Sequence, residues 1–372
     1  MTRWVVPVVL TLLLLPARVV NVAATEYATP VAIDVSTETA VEFPNGMTFS
    51  AGIPLGVTDA DVGTVQLLYR IASDPTLNLE IISPDDYAVD VGQLQVTTFV
   101  DFLTGFVPLG IELTYNWEII LTDGSVVTTA DESTQWRDNR FDWEVLTSDQ
   151  VRMYVYGTDG DFARMMLEES QATIDALEST YGLDAIPPTS IWVYPSYEDF
   201  AGTFQGNARE AIAGVTYPGM DTILVIVPNG DEREFGRVVP HEISHQVLFA
   251  ATENAYGPPP LWFDEGMATH TQIGGNEHFT QMVANAQADG TLFDIQSLAA
   301  SFPFQPQQAT LAYATSWSMI SYIEERWGPE GIAAMIDAFA DGMAIEDVVP
   351  EALGISLDEL NTAWKAWVET ND

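Results

Sequence analysis

His241-Glu242-Ile243-Ser244-His245 is the stretch on which the reading of this chain turns, because residues i and i+4 of a helix lie on one face about one turn apart. Both imidazoles then face one point in space, with the Glu242 carboxylate beside them. The chain has only four histidines, and two of them fall in this pentapeptide. On either side, Phe235, Val238, Val239, Ile243, Val247 and Leu248 supply an apolar packing face. Pro240 works against a helix interior, where it costs about 3 kcal/mol. The expectation is therefore a helix that starts at or just before Pro240, since a first turn tolerates proline.

Two imidazoles do not complete a catalytic zinc site, which takes three protein ligands and leaves a position for water. The candidate third ligand is Glu265, in Leu261-Trp262-Phe263-Asp264-Glu265-Gly266-Met267-Ala268-Thr269-His270. Tyr256-Gly257-Pro258-Pro259-Pro260 precedes it and forces a turn, so that a second helix folds back on the first. Asp264 is the rival on chemistry alone, turned about 100° from Glu265 around a helix. Thr269 shares the face of Glu265 and is a candidate for the outer layer of groups that orients a ligating imidazole. His270 points elsewhere, and His278, after Gly274-Gly275, reads as exposed.

With Trp262-Phe263-Asp264-Glu265-Gly266-Met267-Ala268 following His241-Glu242-x-x-His245, the chain resembles the gluzincin clan of zinc peptidases, especially its exported peptidase-MA-like families. The resemblance runs over about Val151 to Val368 and includes Tyr313-Ala314-Thr315-Ser316-Trp317 and the Leu353 to Leu360 stretch before Trp364. It implies zinc as cofactor, His241, His245 and Glu265 as its ligands, and Glu242 as general base. It also implies an oxyanion-stabilising tyrosine on a later helix, at the position of Tyr313, with a buried structural tyrosine as the plainer alternative. A substrate strand is implied on a sheet edge just before the zinc helix. The candidate edge is Ala211-Ile212-Ala213-Gly214-Val215, with Ala213 and Gly214 as substrate-binding positions and an ordinary buried strand as the alternative. One departure stands out, because the thermolysin-like branch has an aspartate where this chain has Thr269. The implied reaction is hydrolysis of a peptide bond by a zinc-bound water that Glu242 activates, with the proton returned to the leaving amine.

Ahead of this region the texture is different. From about Val31 to Gln135 short period-two runs alternate with Gly, Pro, Asn and Asp, as in Thr64 to Arg70 and Gln93 to Phe99. Tyr115 to Leu121 and Val126 to Ala130 read as a hairpin, because Asp123-Gly124 supplies the positive φ of its turn. The expectation is an α+β protein with an antiparallel β-sandwich of immunoglobulin-like type over residues 29–136. A mostly helical zincin-type metallopeptidase domain is expected over 148–372. Trp136 to Trp143, aromatic and charged, reads as a connection packed between the two.

At the N-terminus, Arg3, an apolar run from Trp4 to Leu15 and then Val22-Ala23-Ala24 follow the order of a secretory leader. The expected protein is secreted or otherwise outside the cytoplasm after cleavage of residues 1–24; it is membrane-bound only if that segment is retained as an anchor. The 372 residues include no cysteine, which excludes disulfides, thiolate nucleophiles and iron–sulfur clusters. Lys and Arg number 12 against 54 Asp and Glu, a net charge of −42, and such a surface repels nucleic-acid phosphates. The partner expected is a peptide or protein substrate. The competing reading is a non-catalytic cell-surface binding or assembly protein on a zincin scaffold, which has no need of a carboxylate at Glu242. A structural zinc site closed by His270 is a third reading, opposed by the i+5 spacing of His270 from Glu265.

Overall fold

The computed structural model describes residues 35–71, 76–102, 107–203, 213–274 and 276–370. The expected leader, residues 1–24, lies outside the described residues, as do Ala211 and Ile212 of the expected edge strand.

The period-two runs of the N-terminal part form β1 (Ser36–Glu42), β2 (Gly46–Pro54), β3 (Val62–Ile71), β4 (Asn78–Ile81), β5 (Tyr87–Asp90), β6 (Gln93–Asp101), β7 (Glu112–Leu121), β8 (Val126–Thr128) and β9 (Glu132–Gln135). They make two antiparallel sheets, one in the order β1-β2-β6-β5 and the other in the order β4-β3-β7-β8, with β9 continuing along β7 beyond β8. Gly124, at φ 86°, turns β7 into β8 as the Asp-Gly pair requires. Alternate residues of β7, Leu113, Tyr115, Trp117 and Ile119, point inward and are buried. They meet the inner face of the first sheet, where Phe49 packs edge-on against Tyr115 at 5.0 Å.

The chain then forms a third sheet from β10 (Glu144–Thr147), β11 (Val151–Val155), β12 (Thr189–Tyr194), β13 (Gly214–Tyr217) and β14 (Thr222–Ile226), in the order β10-β11-β12-β14-β13. β11, β12 and β14 are parallel, while β10 and β13 run antiparallel along the two edges. Helix α1 (Gly160–Tyr181) makes the crossover from β11 to β12 and ends at Gly182 in the left-handed conformation; the short α2 (Tyr197–Ala201) follows β12. The central strands are apolar on both faces because both are covered. Met153, Ile191, Val193, Ile223 and Val225 face the helices, while Tyr154, Trp192, Tyr194 and Leu224 join the core of the N-terminal sheets.

That second face explains the aromatic connection. Tyr154 stacks on Trp192 at 3.8 Å, and Phe141 stacks on Tyr156 at 4.0 Å. Asp138 is fully buried among them, paired with Arg140 at 2.6 Å and accepting the Tyr194 hydroxyl at 3.2 Å. Gly110, at φ 90°, lies so close to Trp192 that a Cβ there would fall 2.1 Å from the indole nitrogen.

The rest is helical: α3 (Glu232–Thr252), α4 (Leu261–Thr271), α5 (Glu277–Ala288), α6 (Pro306–Ala340), α7 (Ile345–Leu353) and α8 (Leu357–Thr370). Helix α6 breaks at Gly328, φ 74° and ψ 177°, just before Pro329. None of the described helices is long and apolar enough to cross a membrane.

The expected start of the histidine helix is corrected by the structure. Helix α3 begins at Glu232, capped by the Asp231 carboxylate on the Glu234 amide, and Pro240 sits in its interior. Proline has no amide to give to the carbonyl four residues back, Gly236 O, and an orphaned buried carbonyl costs about 1–3 kcal/mol. The Ile273 amide donates to Gly236 O at 2.8 Å instead. Gly236 permits the approach, since a Cβ there would lie 3.0 Å from Ile273 O. The helix thus runs through its proline because a distant segment replaces the lost bond.

Candidate active site

Three elements converge. Helix α3 supplies His241, Glu242 and His245; α4 supplies Asp264 and Glu265; α6 supplies Tyr313. Helix α4 starts where the proline run ends, with Pro260 at its N-cap and the Leu261 amide donating to Ala299 O at 2.8 Å. Gly266 lets α4 lie tightly on α6, because a Cβ would fall 2.8 Å from both Ser316 O and Ile320 Cγ1. That close contact brings Tyr313 and Glu265 to the same place.

His241 Nε2 and His245 Nε2 are 3.3 Å apart, and Glu265 Oε2 lies 3.4 Å from the first and 3.6 Å from the second. Ligands about 2.0–2.1 Å from a tetrahedral zinc sit about 3.3–3.4 Å from one another, so the triangle has the edges of such a site. The three side chains form a group able to hold a metal ion. Glu265 Oε2 is buried and has no hydrogen-bond partner, a costly state for a carboxylate oxygen unless a cation lies beside it. The donor set of two imidazoles and one carboxylate fits zinc with an open fourth position.

The electrostatics of the group are those of a cation site. Burial disfavours a charge on Glu265, but His241, His245 and Tyr313 outweigh it and hold the carboxyl below its usual range. Burial likewise disfavours protonated His245, yet Asp264, Glu265 and Glu242 push its pKa up to about 10. Burial and the same carboxylates raise Tyr313 far above an ordinary phenol, so it remains a hydrogen-bond donor; its Oη is 3.5 Å from Glu265 Oε1.

Each imidazole has a partner behind it. Asp264 Oδ1 is 2.7 Å from His245 Nδ1, and the Gln272 amide is 3.0 Å from His241 Nδ1. Thr269 is buried, but its hydroxyl has no hydrogen-bond partner, and neither imidazole reaches it. His270 pairs with Glu324 at 2.9 Å, away from the three ligand atoms. Sequence reasoning set Asp264 aside as a rival ligand, and it missed Gln272, which lies beyond the C-terminus of α4.

Glu242 is fixed against the sheet edge. Thr216 on β13 donates its hydroxyl to Glu242 Oε2 at 2.6 Å, and a Cβ on Gly214 would fall 2.6 Å from Glu242 Oε1. One turn further along α3, Gln246 donates to Asp221 at 2.8 Å, in the β13–β14 turn. The edge hairpin is therefore pinned to the histidine helix at both ends. The described edge strand is Gly214–Tyr217, with Ala213 just outside it. Thr216 escaped sequence reasoning, though its place in the strand leading to the helix is the available signal.

The family profile of the Peptidase MA superfamily matches residues 169–370, more than half of the chain. No curated protein sequence matches the chain. Among solved structures, a polysaccharide deacetylase from Bacillus cereus is 10% identical at a TM-score of 0.22, the match covering 46% of this chain and 53% of that one. Its Bacillus anthracis counterpart, described as a putative polysaccharide deacetylase, is 11% identical at 0.23, covering 47% and 58%. The chain thus spans little more than half the length of these structures, and neither likeness bears on its fold or chemistry. With a matched profile over the segment that carries the histidine helix, the glutamate helix and the tyrosine, the chain belongs to the Peptidase MA superfamily.

Proposed function

We propose that the protein is an exported zinc-dependent peptidase that hydrolyses peptide bonds in peptide or protein substrates. The observation that carries this reading is the triangle of His241 Nε2, His245 Nε2 and Glu265 Oε2 at tetrahedral spacing, with Glu242 buried beside it. Zinc held there supplies a Lewis acid that polarises the scissile carbonyl and makes water acidic. Glu242 accepts the proton of the attacking water and passes it to the leaving amine nitrogen. Thr216 occupies Glu242 Oε2, which leaves Oε1 as the basic atom, next to Gly214. Tyr313, kept protonated, donates a hydrogen bond to the oxyanion as charge develops on the carbonyl. An extended substrate pairs with the edge of β13, unpaired on its outer side among the described residues, from Ala213 and Gly214 onward, so that its backbone runs past Glu242. The N-terminal sheets make an immunoglobulin-like sandwich, and the leader-like N-terminus directs the chain out of the cytoplasm.

The test is zinc content and cleavage of a mixed peptide library by residues 25–372, beside Glu242→Gln. About one zinc per chain in both proteins, with cleavage reduced by about 10²–10⁴-fold in the variant, is expected for loss of a general base. If both bind zinc and neither cleaves, the peptidase reading fails in favour of a zinc-holding scaffold.

A further inference from the structure

We infer that Phe302 is a positioning residue for Tyr313: its ring fixes where the phenol points, and so where the hydrogen bond to the oxyanion is aimed. The inference rests on the peptidase reading and assigns a role to a residue outside every motif of the chain.

Tyr313 is half-buried near the start of α6, and among the described residues its hydroxyl has one hydrogen-bond partner, Glu265 Oε1, at 3.5 Å. A contact at the outer limit of a hydrogen bond does not hold a side chain in one direction. Rotation about χ2 leaves Oη in place, because it lies on that axis, whereas a swing about χ1 carries Oη away from Glu265. Packing against the ring must therefore set χ1. Two rings lie against the phenol. His241 is tilted against it at 6.3 Å, while Phe302 stands nearly perpendicular to it, at 82°, with centroids 5.1 Å apart. The second is the edge-to-face arrangement that aromatic pairs prefer. His241 is already committed to the ligand triangle, which leaves Phe302 as the ring that fixes the tyrosine.

Phe302 is itself held. Pro303 follows it and keeps its backbone extended. Ile295 and Leu298, both buried, anchor the turn ahead of it, and the side chain of Phe302 packs against the helical core. In the same segment Ala299 O accepts the amide of Leu261, the first residue of α4, at 2.8 Å. The stretch that presents Phe302 is thus bonded to the start of the helix that presents Glu265, and α4 meets α6 again at Gly266. The spacing of Tyr313 from Glu265 is set from both ends of α4, with Phe302 as the link at one of them.

Because Phe302 also belongs to the core, the test must separate aim from stability. A double-mutant cycle compares kcat and KM of zinc-loaded wild type, F302L, Y313F and F302L/Y313F. Loss of an oxyanion donor costs about 10²–10³-fold in kcat, the loss expected of Y313F. A displaced catalytic group costs up to about 10²-fold, so F302L is expected to lose about 10–100-fold in kcat with KM little changed. F302Y, which keeps the ring, should recover the greater part of that loss. In the Y313F background, F302L should change kcat by no more than about twofold, the scatter of independent sites. The same loss in both backgrounds, or a loss confined to KM, overturns the inference. The second readout needs neither zinc nor turnover. In metal-free protein carrying 13C-tyrosine, the Tyr313 ring signals, assigned by their absence from Y313F, are expected to show cross-relaxation to the Phe302 ring; its absence overturns the inference. A wild type that holds zinc and cleaves nothing defeats the peptidase reading, whereas the cross-relaxation still decides whether Phe302 holds Tyr313.

Discussion

At the scale of single residues, His245 links the proposed metal binding to pH. Its pKa in the metal-free protein is pushed up to about 10, against about 6.5 for an unperturbed imidazole, through the adjacent Asp264, Glu265 and Glu242. A raised folded-state pKa stabilises the protein fully below about pH 6.5, and the contribution disappears as pH rises through about 10. Thermal unfolding of chelator-treated protein should therefore show wild type more stable than Asp264→Asn near pH 6, with the gap narrowing toward pH 10; a gap that widens with pH contradicts the coupling. Zinc must displace the same proton, so its apparent affinity should rise over that range. The proximity of His241, His245 and Glu265 was legible because i, i+4 spacing and a forced proline turn leave the two helices little choice. The groups behind the ligands were not. Thr269 follows Glu265 on its helix face, yet position on a face does not say which hydroxyl finds a partner, and Gln272 reaches His241 only after the helix has ended.

Elements set where the carboxylate of Glu242 points. Helix α3 and the β13–β14 hairpin touch at Thr216 with Glu242 and at Asp221 with Gln246, so the hairpin is tied to the helix at two points. Gly214 is the narrow point between them. Gly214→Ala places a Cβ 2.6 Å from Glu242 Oε1, and a shift of about 1 Å in a catalytic group costs up to about 10²-fold in rate. The variant should keep its zinc while kcat falls by about 10–100-fold; unchanged kcat would show that the carboxylate does not rely on this contact. The α3 start was misread from the sequence for an instructive reason. Pro240 carries a local penalty that is plain in the sequence, whereas its remedy, Ile273 against Gly236, depends on how α4 folds back.

For the whole molecule, the excess of acidic groups makes stability respond to salt. With 12 basic residues against 54 acidic ones, and with Arg140, Arg152, Arg164, Arg237 and Lys365 already paired to carboxylates, self-repulsion opposes the compact state. Screening shortens from about 10 Å at 0.1 M salt to about 3 Å at 1 M. The melting temperature should climb over that interval in both NaCl and KCl, and a flat profile would show that the acids are spaced widely enough not to interact. The alternation of the early strands and the later change to helical texture were readable from the sequence. The depth of the joint between them was not, because stacked rings such as Tyr154 on Trp192 belong to no local pattern. That joint limits how the chain can be divided. Because the third sheet uses Tyr154, Trp192, Tyr194 and Leu224 to close the core of the N-terminal sheets, a fragment cut at Val151 would keep His241, His245 and Glu265 and still bare an aromatic wall to water. The front half acts as the lining of the back half, and a recombinant or evolutionary swap of one for a foreign module would have to match that wall ring for ring.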